Sequence, residues 1–360
     1  MKSSRRRFLK QVSVTAAGSS FIPISLKNAV AGDGIDITLP LLKPRRLQPK
    51  SKIGIIAPAS FITQKELDEI IELLSSLGYE GVPAKNVLNK FGYLGGTDND
   101  RVSDIHEMFS RNDINVILCA RGGYGTPRIL PYLDYKLIRK NPKIIIGYSD
   151  ITSLLIAIFL KSRIVTFHGP VGISTFNDFS LKYFNEILVE GKEIVEMSSP
   201  NELPPHRNDF SSVKEVLKII PGKVEGELIG GNLSLLITHL GTEFDFDLKD
   251  KILFIEEVGE EPYRIDRMLT QLINSGKLKE CAGIALGVFS NCEQRRDNPS
   301  FETTFNLREV LIDRLSYLDI PAIYGLSFGH VKDKFTIPIG IRAMLNVDEA
   351  KLTLLEAAVS

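Results

Sequence analysis

The chain has 360 residues, 43% hydrophobic and 24% charged, the composition of a water-soluble globular protein with one large or two modest domains. No apolar run reaches the roughly 18 residues of a membrane-spanning helix, so stable membrane insertion is not expected. Six of the 44 basic residues precede position 32, where there is no acid; the remaining 38 face 44 acidic residues, a mildly acidic balance that argues against a nucleic-acid partner.

Ser4-Arg5-Arg6-Arg7-Phe8-Leu9-Lys10 fits the twin-arginine export pattern. An apolar stretch follows from Val12 to Leu26, and then Ala29-Val30-Ala31, a small-x-small cleavage site. Residues 1–31 are read as a signal peptide that sends the folded chain to the periplasm, and 32–48 as a Pro- and Leu-rich linker. A buried strand is predicted over 52–57. Thr63 and Glu66 form a capping box for a helix carrying Leu67, Ile70, Ile71, Leu74 and Leu77, which Gly78 stops. A second helix covers about 100–110, with Val102, Ile105 and Phe109 on one face. Strand 114–120 runs into the glycine loop 121–125, and strand 143–146 precedes an apolar helix over 150–160. This alternation predicts a parallel α/β sheet in an N-terminal domain, 49–171.

Residues 172–225 are rich in Asn, Ser, Pro and Glu and read as a crossover between domains. In a C-terminal domain, 226–360, Gly230-Gly231-Asn232 leads into an apolar helix over 233–240. Strand 252–256, helix 262–275, strands 283–289 and 321–324, and an edge hairpin over 343–354 follow. The expected fold is α/β: a parallel-sheet domain, then an α/β domain with a mixed sheet, and an active site between them. Cys119, Cys281 and Cys292 are too few and too scattered for a disulfide framework or a zinc site; they read as small apolar side chains near strands.

The segment Ile144-Ile145-Ile146-Gly147-Tyr148-Ser149-Asp150, entering as a strand and leaving as a helix, has the form of a nucleophile elbow. The alternative is that Ser149 or Asp150 merely caps the helix. A serine hydroxyl needs a base. Among the five histidines, His106 is placed on a solvated helix face, His206 in the crossover, and His239 inside an apolar helix. His168 and His330 both follow strands, where α/β enzymes place catalytic groups, and the residues alone leave both open. An imidazole base needs a carboxylate to hold its tautomer. Strand 252–256 ends in Glu256 and Glu257, which alternation turns to opposite sides: one into a site, the other toward solvent or an arginine. The alternative is two solvated strand-end acids. The glycine loop Arg121-Gly122-Gly123-Tyr124-Gly125 lacks the spacing of a phosphate cradle. It reads instead as backbone N–H donors near the Ser149 turn, or as a plain turn.

Together these segments resemble the LD-carboxypeptidase family of serine peptidases. The likeness rests on IGIIAPAS at 53–60, GTDNDR at 96–101, ARGGYGTPRIL at 120–130, IIGYSDITSLL at 145–155, TFHGP at 166–170, GGNLSLL at 230–236, FIEEVGEEPYRIDRML at 254–269, GIALGVFSNC at 283–292 and YGLSFGH at 324–330. It implies Ser149 as nucleophile, His330 rather than His168 as base, and Glu256 as its carboxylate partner, with Glu257 standing where the family usually has aspartate. The backbone amides of Gly123 and Asp150 would bind the oxyanion. The implied reaction is hydrolysis of the amide between the L-centre of a diamino acid and a terminal D-alanine in murein peptides, through an acyl-enzyme and without metal or organic cofactor. Two readings stand beside it. One is a peptidase for peptidyl-nucleotide antibiotics, for which aromatic residues in the crossover (Phe176, Phe179, Tyr183, Phe184 and Phe210) could stack a nucleotide. The other is a non-catalytic two-lobed periplasmic binding protein. A homodimer is compatible with any of the three.

Overall fold

The computed structural model describes residues 39–199, 216–295 and 297–360. The proposed signal peptide, the start of the linker, His206 and Phe210 lie outside the described residues. The first half carries β1 (Lys52–Ile56), β2 (Glu80–Pro83), β3 (Ile114–Cys119), β4 (Ile144–Gly147) and β5 (Thr166–His168). Next come β6 (Val195–Ser198), β7 (Leu217–Ile220), β8 (Lys223–Asn232), β9 (Lys251–Val258), β10 (Gly283–Ser290) and β11 (Ala322–Gly329). The last three are β12 (Ile337–Ile339), β13 (Arg342–Asn346) and β14 (Lys351–Leu354).

These strands form two sheets. The first is ordered β12-β5-β4-β3-β1-β2; its five N-terminal strands run parallel, and β12 joins antiparallel at the β5 edge. The second is ordered β6-β14-β13-β8-β9-β10-β11-β7. Its centre, β8 to β11, is parallel and its flanks are antiparallel. The architecture is thus α/β with a mostly parallel first sheet and a mixed second one. The segment 172–225 is not only a connection: it holds the helix Asp178–Phe184 and the strands β6 and β7. Because β6 pairs with β14, the 343–354 hairpin is not at an edge as expected.

The helix Ile151–Ser162 joins the two halves. It is buried at every position but Lys161 and contacts β4, β5 and β12 of the first sheet, β8 of the second and the helix Leu233–His239. A helix that is apolar all round has no solvent face to offer, so the fold wraps it. Burying this helix fixes the turn at its N-terminus relative to both sheets. All three cysteines are free and buried. No described helix is long and apolar enough to cross a membrane.

Candidate active site

Ser149 follows β4 and opens the central helix with φ of 64°. A serine in the left-handed region is uncommon and costs conformational energy, which marks the turn as more than a helix cap. The Asp150 side chain does not cap the helix either. Its Oδ2 instead accepts from the Thr126 N–H at 2.9 Å, and its carbonyl accepts from the Thr126 hydroxyl. Asp150 therefore ties the serine turn to the end of the glycine loop, and burial raises its pKa.

The loop itself comes close to the serine. A Cβ on Gly122 would sit 2.9 Å from Ser149 Cβ and 3.2 Å from its Oγ, so only glycine lets the backbone approach this far. At Gly123 a Cβ would meet Ser60 Oγ. Among the described residues, neither the Gly123 nor the Asp150 N–H donates to a backbone acceptor. Arg101, 1% exposed, braces this layer by donating to the carbonyls of Pro58 and Gly125 while pairing with Asp98. The sequence signal for this role is that Arg101 falls on the same buried face of its helix as Ile105 and Phe109.

The second sheet supplies the charged part. His330 directly follows β11, and its Nδ1 lies 2.8 Å from Oε2 of Glu256 on β9. Gly329 makes this possible: at φ of 105°, a Cβ there would sit 2.9 Å from Glu256 Oε2. Glu256 is fully buried. Burial works against its charge, but His330 and His168 hold its pKa well below the usual carboxylate range. Its other oxygen, Oε1, lies 3.9 Å from His168 Nε2. Neither that oxygen nor either His168 ring nitrogen has a hydrogen-bond partner among the described residues.

The two histidines left open by the sequence differ in access. The His330 side chain is 21% exposed and that of His168 2%. With Nδ1 engaged, His330 has Nε2 left for a further partner. Tyr148, adjacent to Ser149, meets the His330 ring edge-on at 4.9 Å between centroids and the His168 ring at 6.1 Å, so the residue preceding Ser149 packs against both imidazoles.

Glu257 does not reach solvent or an arginine, as alternation alone suggested. It accepts from Asn232 Nδ2, from the Ser234 N–H and hydroxyl, and from the Val258 N–H, at 2.6 to 3.0 Å. It holds the start of the helix Leu233–His239, which Asn232 caps. His106 is half-buried, and its Nε2 accepts from the Asp134 N–H at 2.8 Å. Among the described residues, no group of three or more His, Cys, Asp or Glu is arranged to hold a metal ion.

A serine in a strained strand-to-helix turn and a carboxylate–imidazole pair joined to that turn through Tyr148 are the parts a serine-type hydrolase needs. Family comparison agrees: residues 53–169 match the LD-carboxypeptidase N-terminal domain and 225–345 the LD-carboxypeptidase C-terminal domain. The chain belongs to the LD-carboxypeptidase family. It is 41% identical to a probable murein peptide carboxypeptidase of Bacillus subtilis (strain 168), over 88% of this chain and 95% of the relative. Two solved structures share the fold. The muramoyltetrapeptide carboxypeptidase of Oxalobacter formigenes has a TM-score of 0.71 at 32% identity, covering 84% of this chain and 98% of that one. An MccF-like protein of Bacillus anthracis has a TM-score of 0.77 at 29% identity, covering 88% and 99%.

Proposed function

We propose that this protein is a serine carboxypeptidase that removes the terminal D-alanine from murein tetrapeptides by cutting the amide to the L-centre of the diamino acid. The observation that supports this is the strained Ser149 turn, whose preceding residue Tyr148 packs its ring on His330, itself paired with Glu256. Ser149 Oγ attacks the scissile carbonyl, forming an acyl-enzyme and expelling D-alanine. His330 takes the serine proton and passes it to the leaving amine, then activates the water that releases the shortened peptide. Glu256 holds the His330 tautomer and stabilises the imidazolium. The N–H groups of Asp150 and Gly123 receive the oxyanion, aided by the positive end of the central helix.

The murein substrate is supported by the names of the relatives in B. subtilis and O. formigenes. The nucleotide-antibiotic reading has less behind it. Phe176 packs on Phe184, and Phe179 on Tyr183 and Phe335, so these aromatic rings serve the fold rather than a ligand. The N-terminal pattern supports export by the twin-arginine route and action in the periplasm, which fractionation of cells making the full chain would test.

The decisive assay incubates the protein with purified murein tetrapeptide and follows free D-alanine and tripeptide by mass spectrometry. Turnover is expected from the wild type and a loss of several orders of magnitude from Ser149→Ala. Equal release by both proteins would sink the nucleophile assignment, and binding without release by the wild type would favour the binding-protein reading.

A further inference from the structure

Residues 330–336 cross from the end of β11, in the second sheet, to the start of β12, at the edge of the first. Several bonds hold this crossing rigidly. Asn177 Nδ2 donates to Asp333 Oδ1, Ser327 Oγ donates to the Asp333 carbonyl, and Ser180 Oγ bridges the Lys332 carbonyl and the Lys334 N–H. The Phe335 ring is clamped by Phe179 and Tyr183. Lys334 is thereby fixed with its side chain turned inward. It is 5% exposed, and its Nζ lies 4.3 Å from the centroid of the Tyr148 ring, the residue before the nucleophile.

Buried lysines almost always have a carboxylate or carbonyl partner. Among the described residues Lys334 Nζ has neither an ion pair nor a hydrogen bond. Glu256 attracts it from a distance, but that carboxylate already serves His330. A ring face holds an ammonium without using its three N–H donors. Burial pushes the Lys334 pKa down to about 8, while the charge on Glu256 favours the ammonium form. The result is a largely desolvated cation with free donors, on the ring of the residue that precedes the nucleophile and packs against His330.

An enzyme that removes one residue from a chain end must recognise that end. In a terminal D-amino acid the carboxylate is one carbon from the scissile nitrogen, so its binding cation must lie close to the nucleophile. We propose that Lys334 binds the free carboxylate of the departing D-amino acid and so restricts cleavage to the last residue of the peptide. This rests on the carboxypeptidase reading above and names the group that makes the site an exopeptidase. Lysine suits the task because it acts as a compact charge with rotatable donors.

The test compares two peptides ending in L-lysyl-D-alanine, one with a free carboxylate and one with a terminal amide, and a third in which meso-diaminopimelate replaces lysine. The proteins are the wild type, Lys334→Met, Lys334→Gln and Lys334→Arg, each checked for folding by its melting temperature. The wild type is expected to cleave the free acid about 100-fold better than the amide in kcat/KM, the scale of losing one partner of a buried charge pair. In Lys334→Met and Lys334→Gln that preference collapses to within about threefold, mainly through a raised KM for the acid, and Lys334→Arg recovers part of it. An undiminished preference for the acid in a folded Met or Gln variant overturns the proposal. So does an equal loss on both peptides, which would mean that Lys334 only tunes Glu256 or the fold. A loss confined to the diaminopimelate peptide's advantage over lysine would assign the cation to a different carboxylate and overturn it as well. If the wild type releases no D-alanine from any peptide, the carboxypeptidase reading itself fails, an outcome distinct from these three.

Discussion

Glu256 and Glu257 are neighbours on β9 with the same functional group, yet the strand turns them to different faces and the fold treats them differently. On one face Glu257 receives four donors on its two oxygens and fastens the start of a helix. On the other, Glu256 has one imidazole at 2.8 Å, a second at 3.9 Å and an oxygen without a hydrogen-bond partner among the described residues. Their acidities part accordingly. Burial, and then repulsion from Glu256, push the Glu257 pKa up, whereas the two histidines hold Glu256 ionised against its burial. A structural carboxylate is saturated with hydrogen bonds. One that must answer a changing charge on its neighbour keeps capacity in reserve, and local rules are broken where function is exercised.

Neutralising each acid separates the two faces. Glu256→Gln keeps the shape but presents a neutral group to His330, so it can neither fix the useful tautomer nor stabilise the imidazolium. We expect kcat for D-alanine release to fall by about three to four orders of magnitude, with little change in the denaturation midpoint. Glu257→Gln should act the other way round. Whichever oxygen becomes the amide nitrogen, a donor then faces a donor on Asn232 or Ser234, leaving a buried polar group unsatisfied at a cost of about 1–3 kcal/mol. Urea unfolding should report that loss while kcat stays within about threefold of the wild type. If Glu257→Gln cost as much activity as Glu256→Gln, the two faces would not be functionally distinct.

Much of this arrangement was legible in the sequence, for identifiable reasons. The turn at Ser149 is a short polar break between a run of buried isoleucines and a helix apolar all round, which makes it stand out. Glu256 shows itself because acids seldom end a buried strand. Other parts were hidden. β12 is only three residues with Pro338 at its centre, which reads as a break; proline is tolerated there because β12 is an edge strand. β6 alternates Val195 and Met197 inward within a polar segment too short to show a period. Lys334 in a loop with Lys332 and Asp333 reads as solvated, and only the crossing between the sheets buries it. His168 and His330 could not be separated because each follows a strand. In the structure β5 and β11 carry the two imidazoles to opposite oxygens of one carboxylate, and the His330 ring is the more exposed of the two.

That last contrast yields the smallest effect and the finest test. His168 is buried against Tyr148, Phe254 and Phe328, with both ring nitrogens unpartnered among the described residues, an arrangement that costs stability. What it supplies is a polar edge 3.9 Å from the free oxygen of Glu256. His168→Phe keeps the edge-on ring contacts and removes the unpaired nitrogens, so the melting temperature should hold or rise. Glu256 then loses one of its two stabilising neighbours. We expect kcat to drop by roughly tenfold, about 1.4 kcal/mol, against a loss of at least three orders of magnitude for His330→Gln. Stability and activity thus move in opposite directions at His168, as they do where a fold carries a group for its chemistry rather than its packing. If His168→Phe abolished turnover while His330→Gln spared it, the base would be the buried imidazole, and the serine turn would have to open toward the core.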